Sequence, residues 1–108
     1  MANKPIDLPV DRNWHPIDVL KYGDTVALTV GAASSRSALP TGVIPQSILR
    51  LASNTDCYVA LGGSTVEATT SDVLFLSGVE YITVAKDQTH IAVIQDSAGG
   101  ALTVTEVF

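Results

Sequence analysis

The fold is decided by the last third of the chain, residues 73–108, which read VLFLSGVEYITVAKDQTHIAVIQDSAGGALTVTEVF. Short apolar runs at residues 73–76, 80–85, 90–95 and 101–108 are separated by turn signals such as Ser77-Gly78 and the stretch DSAGG. These runs are rich in β-branched and aromatic residues and show no helical repeat of 3.6 residues. Turn signals at such short spacing are typical of a β-sandwich or a β-barrel.

The same pattern continues toward the N-terminus. Strands are predicted at residues 25–30, 48–52 and 57–61, and in the first of these Val26, Leu28 and Val30 share one face. Residues 31–42 (GAASSRSALPTG) are small and polar, and we expect a mobile loop there. The sequence therefore predicts an all-β fold, an antiparallel, jelly-roll-like β-sandwich of about seven strands, or eight with part of the N-terminal segment.

Prolines divide the chain into two parts. All five of them lie in the first 45 residues, and a proline lacks the amide proton that a β-ladder needs. Residues 1–16 have no apolar periodicity and contain X-Pro steps, which favour extended backbone. We therefore expect an extended N-terminal arm at residues 1–16, followed by a sandwich domain at residues 17–108.

Charge limits the kinds of partner. Residues 1–50 carry five Lys or Arg and four Asp or Glu, whereas residues 51–108 carry one lysine and seven carboxylates, so +1 and −6 give the net charge of −5. An acidic body repels a phosphate backbone, so no nucleic-acid partner is expected. The sequence has no run of 18 apolar residues and no apolar segment after its first lysine, so we expect neither membrane insertion nor secretion by a signal peptide.

Residues suited to catalysis are few and isolated. His15 and His90 lie far apart in the sequence, Cys57 shares a strand face with apolar residues, and Asp72, Glu80 and Asp96 lie at the ends of predicted strands. A single cysteine excludes an intrachain disulfide and a zinc site built from cysteines. Neither Gly62-Gly63 nor Gly99-Gly100 is followed by the Lys-Ser/Thr of a phosphate-binding loop. We therefore predict no enzymatic activity, no metal site and no cofactor.

The arm carries the predicted partner-binding residues. Arg12, Asn13, Trp14 and His15 combine the only tryptophan with a cation and hydrogen-bonding groups in a segment flanked by prolines. Trp and Arg are enriched among the residues that dominate the energetics of protein interfaces. These four residues are the predicted partner-binding site. The alternative is that Trp14 folds back and covers its own sandwich.

Two stretches of the chain resemble small virion proteins of tailed bacteriophages. They are residues 48–63 (ILRLASNTDCYVALGG) and residues 68–108, which include the TTSD link, the SGVEYITV hairpin and the ending IAVIQ…AGG…LTVTE. Together they cover 16 + 41 = 57 of the 108 residues. The resemblance lies in spacing and residue type and includes no catalytic signature.

This resemblance implies a structural role in the virion. Decoration, or cement, proteins of this group are small β-sandwiches or jelly rolls that bind the outside of the capsid shell and staple neighbouring major capsid subunits. The resemblance thus implies a protein that is made in the host cytoplasm and bound to the capsid exterior, with the major capsid protein as its partner.

Two other functions stay open. One is a head–tail or tail-fibre accessory protein of the virion. The other is a carbohydrate-binding module, although Tyr58 and Tyr81 lie in separate predicted strands and form no obvious aromatic platform. In each case we expect a homo-oligomer, most simply a dimer, because edge strands and an extended arm favour self-association.

Overall fold

The computed structural model describes residues 21–107, which form two four-stranded sheets packed face to face. The strands are β1 Tyr22–Val30, β2 Ser35–Ala38, β3 Ile48–Ser53, β4 Cys57–Gly62, β5 Val73–Phe75, β6 Gly78–Thr83, β7 His90–Gln95 and β8 Gly100–Val107. Residues 21–107 contain no helix long and apolar enough to cross a membrane.

The strand order is that of a jelly roll. Sheet one has the order β1-β8-β3-β6, sheet two has the order β2-β7-β4-β5, and every pair of neighbouring strands is antiparallel. Apart from the step from β4 to β5, each connection crosses from one sheet to the other, so the chain winds around a shared interior. The predicted all-β sandwich is confirmed.

The eighth strand is not where the sequence pattern placed it. The seven predicted strands correspond to β1 and β3 to β8, with ends shifted by up to three residues. The eighth strand is β2, in the segment that was expected to be a mobile loop, and that expectation was wrong. Its sequence SRSA has no apolar alternation, and antiparallel pairing of Ser35 with Val93 through Ala38 with His90 holds it at the edge of sheet two. The predicted arm, residues 1–16, lies outside the described residues.

The core lies between the two sheets, where alternate residues of each strand point inward. Leu49 of β3 and Leu102 of β8 come from sheet one, Ile91 and Val93 of β7 come from sheet two, and all four side chains are fully buried. Alternation along β3 leaves Leu49, Leu51 and Ser53 buried and the residues between them partly exposed. The central strands thus supply most of the apolar contact that holds the sheets together.

Replacing Leu49 with alanine tests this description of the core. The side chain is wholly buried, so Leu49→Ala removes apolar contact and leaves a cavity, and we expect the free energy of unfolding to fall by about 3 kcal/mol. Leu74→Ala is the matched control: Leu74 is 46% exposed, and we expect a loss below about 1 kcal/mol. Urea denaturation measures both. Equal losses in the two variants would contradict the assignment of the core.

Candidate functional site

The outer face of sheet one is almost free of charge. Strand register places these side chains on it: Thr25, Ala27 and Thr29 of β1; Ala101, Thr103, Thr105 and Val107 of β8; Ile48, Arg50 and Ala52 of β3; and Val79, Tyr81 and Thr83 of β6. A hydrogen bond of 2.8 Å between the hydroxyls of Thr25 and Thr105 shows that neighbouring strands share this face. Arg50 is the one charged residue in this set, and two members of the set, Thr105 and Val107, are buried.

Two tyrosines flank that arginine. The guanidinium carbon of Arg50 lies 5.6 Å from the centre of the Tyr22 ring, within the range of a cation–π contact. Tyr81 lies directly across from Arg50 in the register of β3 and β6. Tyr22 is 65% exposed and Tyr81 is 50% exposed, so both rings are available to a partner. Tyrosine and arginine are the residue types that most often dominate binding energy at protein interfaces.

A shallow depression lies on the same face, toward the far end of β3. Its volume is about 370 Å³. The lining residues are mostly small: Ala52, Ser53, Asn54, Gly78, Val79, Ala101 and Thr103. The depression arises because Ala52 and Ala101 stand where larger side chains would fill the surface. A protruding apolar side chain of a partner fits such a place.

A group of exposed apolar side chains lies at the side of the sandwich where β5 and β6 are the edge strands of the two sheets. We call it the apolar edge; it consists of Val73, Leu74, Leu76 and Val79, of which Val73 is 73% exposed and Leu76 is 61% exposed. These residues lie on or between β5 and β6, which are the edge strands of the two sheets. Exposed apolar side chains on edge strands indicate a site of interaction or a risk of aggregation.

Between β5 and β6 an apolar cleft opens toward the core. Its volume is about 130 Å³. The lining residues are Leu51, Val59, Leu61, Val73, Phe75, Glu80 and Ile82. Glu80 is the one charged group among them. Its register partner Leu51 points into the sandwich, so Glu80 also lies on the inner side of β6. The expectation that Glu80 marks a strand end was wrong, because β6 begins at Gly78 and Glu80 is its third residue.

The outer face of sheet two differs from that of sheet one because part of the chain covers it. A guanidinium nitrogen of Arg36 donates a 3.1 Å hydrogen bond to the Val66 carbonyl, and the Ala68 amide donates a 2.9 Å hydrogen bond to the Ser34 hydroxyl. These bonds hold the connection between β4 and β5 against the sheet. Ala92, whose register partner is Arg36, is fully buried as a result.

The predicted partner-binding residues Arg12, Asn13, Trp14 and His15 lie outside the described residues. Their role stays a prediction.

The side chains that were considered for chemistry lie apart from one another. The thiol of Cys57 is fully buried beside the Ser53 hydroxyl, and its burial raises the pKa of the thiol. The imidazole Nδ1 of His90 lies 2.8 Å from the Thr89 hydroxyl. The Tyr58 hydroxyl donates a hydrogen bond to Asp96, which raises the pKa of the phenol. In the described part of the chain, no three His, Cys, Asp or Glu residues are grouped as metal ligands would be.

The cluster formed by Tyr22, Arg50 and Tyr81 was not predicted from the sequence. One signal was present: Arg50 interrupts the otherwise apolar β3 sequence ILRLAS, and a charge at the centre of such a strand indicates a side chain that faces outward. Tyr22 gave no signal, because the alternating pattern of β1 begins only at Thr25 and the register is irregular between these two residues.

Comparison of the chain with protein-family models, with curated proteins and with solved structures finds no match. The surfaces of the sandwich itself therefore supply the structural basis for a functional proposal.

Burial of Cys57 predicts an unreactive thiol. Because burial raises the pKa of the thiol and excludes solvent, little accessible thiolate forms at pH 8. We expect a thiol reagent such as dithiobis(nitrobenzoate) to label the native protein only as fast as it unfolds, and to label it at once in urea. Rapid labelling of the folded protein at pH 8 would contradict a structural role for Cys57.

Proposed function

We propose that this chain is a non-enzymatic structural protein of a tailed-phage virion that binds the outside of the capsid shell and staples neighbouring major capsid subunits. The observation that supports this best is the outer face of sheet one, where Arg50 is the one charge among the residues that the regular strand register places there. The resemblance of residues 48–63 and 68–108 to virion proteins supports the assignment to a phage.

The composition of this face suits binding to a protein. Interface cores are depleted in charged residues and enriched in tyrosine and arginine. On this face Arg50 contacts the Tyr22 ring and lies directly across from Tyr81, and the residues around this cluster are mostly threonine, alanine and valine. Short side chains on a hydrogen-bonded sheet lose little conformational entropy when a partner covers them.

The size of the face also suits such a role. Four strands about 4.8 Å apart and about seven residues long, at about 3.4 Å per residue, give a surface of roughly 450 Å². A standard interface buries about 800 Å² on each partner. The outer face therefore supplies roughly half of the area of a standard interface, and exposed side chains at its border add to this area. A decoration protein needs only such buried area, because reinforcing a shell requires no chemistry.

Charge favours one orientation on the shell. Residues 51–107 carry seven carboxylates and one lysine, and all of these lie outside the outer face of sheet one. If this face contacts the shell, the acidic groups stay in solvent, where their hydration is retained. An accessory role at the head–tail junction or tail fibre would use the same face; binding that saturates at a few copies per particle, rather than in proportion to capsid subunits, distinguishes it.

Carbohydrate binding is a second candidate, and one observation favours it. The structure brings Tyr22 and Tyr81 to one face with Arg50 between them, although the sequence indicated no aromatic platform. Exposed aromatic rings stack on sugar rings, and a guanidinium donates hydrogen bonds to hydroxyl groups. Retention of the protein on a glycan array, and loss of that retention on mutation of either tyrosine, would favour this candidate over capsid binding.

Substitution of Arg50 or Tyr81 on the outer face of sheet one tests the proposal of capsid binding. We expect Arg50→Ala and Tyr81→Ala each to weaken binding to purified shells of the parent phage by about 30-fold, the effect of losing an interface residue worth about 2 kcal/mol. The measurement is co-sedimentation of labelled protein with shells that lack it.

Arg36→Ala is the matched control, because it removes the same charge from the outer face of sheet two, where Arg36 contacts the chain's own Val66. We expect its binding to shells to be unchanged. Equal affinities for the shell in all three variants would contradict docking through sheet one.

A further inference from the structure

The edge strand β6 carries a charge on its inner side. Among the described residues 21–107, β6 is the last strand of sheet one, so every second residue directs its backbone amide and carbonyl away from β3. Glu80 lies at the middle of this strand on its inner side, at the mouth of the apolar cleft, where its side chain is exposed to solvent. An inward-pointing charge on an edge strand opposes pairing with another chain, because pairing would bury it. A strand that brings the opposite charge removes this penalty.

Such a strand must meet three requirements. It needs a Lys or Arg opposite Glu80. It needs apolar side chains two residues to either side, because alternate residues of a strand share a face and the cleft is apolar. It also needs to be free of proline over about six residues, the length of β6, so that its amides are available to the ladder.

Residues 10–15 of this chain, VDRNWH, meet all three requirements. Val10, Arg12 and Trp14 occupy alternate positions, with the cation at the centre, and Pro9 and Pro16 bound the segment without entering it. We propose that residues 10–15 of a second copy add a strand antiparallel to β6, with Arg12 opposite Glu80, Val10 facing the apolar cleft and Trp14 on the same inner side beside Gly78.

The register follows from the pairing of the two charges. With Arg12 opposite Glu80, Val10 lies opposite Ile82, which packs against the core, and Trp14 lies opposite Gly78. The position of a Cβ at Gly78 has no atom within 4 Å, so there is open space for the indole. An aromatic ring opposite an edge glycine is a recognised way to stabilise such a pair. Asn13 then lies on the outer face, beside Val79.

Distance indicates that the arm comes from a second copy. In this register residue 15 lies beyond the Gly78 end of β6, whereas Tyr22 pairs with Val107 at the other end of the sheet. Crossing four strand spacings of about 4.8 Å and six residues of about 3.4 Å gives a span of roughly 28 Å. The seven residue steps from 15 to 22 reach about 24 Å at most. The arm therefore does not reach its own β6 in this orientation.

Reciprocal exchange of arms joins two copies about a two-fold axis, which gives the dimer expected from the sequence. The added strand borders the outer face of sheet one, where Asp11 lies opposite Tyr81, but the pair of Arg12 and Glu80 lies on the inner side, whereas Arg50 lies on the outer side. Self-association and shell binding are thus separable by experiment, and failure of one leaves the other standing.

Charge reversal in the full-length protein tests the proposal. Sedimentation equilibrium of the wild type is expected to show twice the chain mass of 11.3 kDa. Arg12→Glu and Glu80→Arg each place like charges together, so each is expected to weaken self-association by about 100-fold or more. Lys4→Glu and Glu67→Arg are the matched controls: they make the same changes of charge at positions outside residues 10–15 and outside β6, and their association is expected to match the wild type. Circular dichroism checks that every variant retains its β-sheet.

Mixing the two single variants identifies which copy supplies the arm. In a 1:1 mixture of R12E and E80R, every arm finds a β6 edge of opposite charge on the other variant, so the mixture is expected to regain the dimer. The double variant R12E/E80R is also expected to dimerise. Recovery in the double variant without recovery in the mixture would show that each arm binds its own chain, which would overturn the proposal. So would single variants that stay dimeric, or a wild type that is monomeric at millimolar concentration.

Discussion

The structure depends on the burial of the inner faces of the central strands. β8 and β3 of sheet one pack against β7 and β4 of sheet two, and these strands carry fully buried side chains such as Leu102, Leu49, Ile91 and Cys57. With no disulfide and few charges, this apolar contact is the main source of stability for a chain of this size. It also fixes the register, since a shift by one residue would turn every inward side chain outward.

The same constraint determines which surfaces are left for binding. A fixed register sends Arg50, Tyr81 and the small residues beside them to the outer face of sheet one, while the connection between β4 and β5 covers the outer face of sheet two. In the jelly-roll topology β6 is an edge strand of sheet one and β5 is an edge strand of sheet two, and an apolar cleft lies between them. The two proposed contacts, one with a capsid shell and one with a second copy, therefore use surfaces that the packing of the core exposes.

Much of the fold could be predicted from the sequence, because period-2 alternation and turn residues are local signals. β2 escaped prediction because SRSA has no alternation, and its pairing with β7 depends on a distant part of the chain. The predicted position of Glu80 at a strand end was wrong because Gly78 indicated a turn, whereas Gly78 is the first residue of β6. The candidate site could not be predicted for a similar reason: Tyr22, Arg50 and Tyr81 come from three strands, and only the register across the sheet brings them to one face.

Docking of sheet one against a capsid shell is a proposal, and an electron cryomicroscopy reconstruction of the proposed parent phage tests it most directly. We predict density for the sandwich on the outside of the shell, with Arg50 and Tyr81 against the major capsid protein and the acidic surface toward solvent. Density that places the outer face of sheet two against the shell, or a particle that lacks the protein on its capsid, would contradict this account.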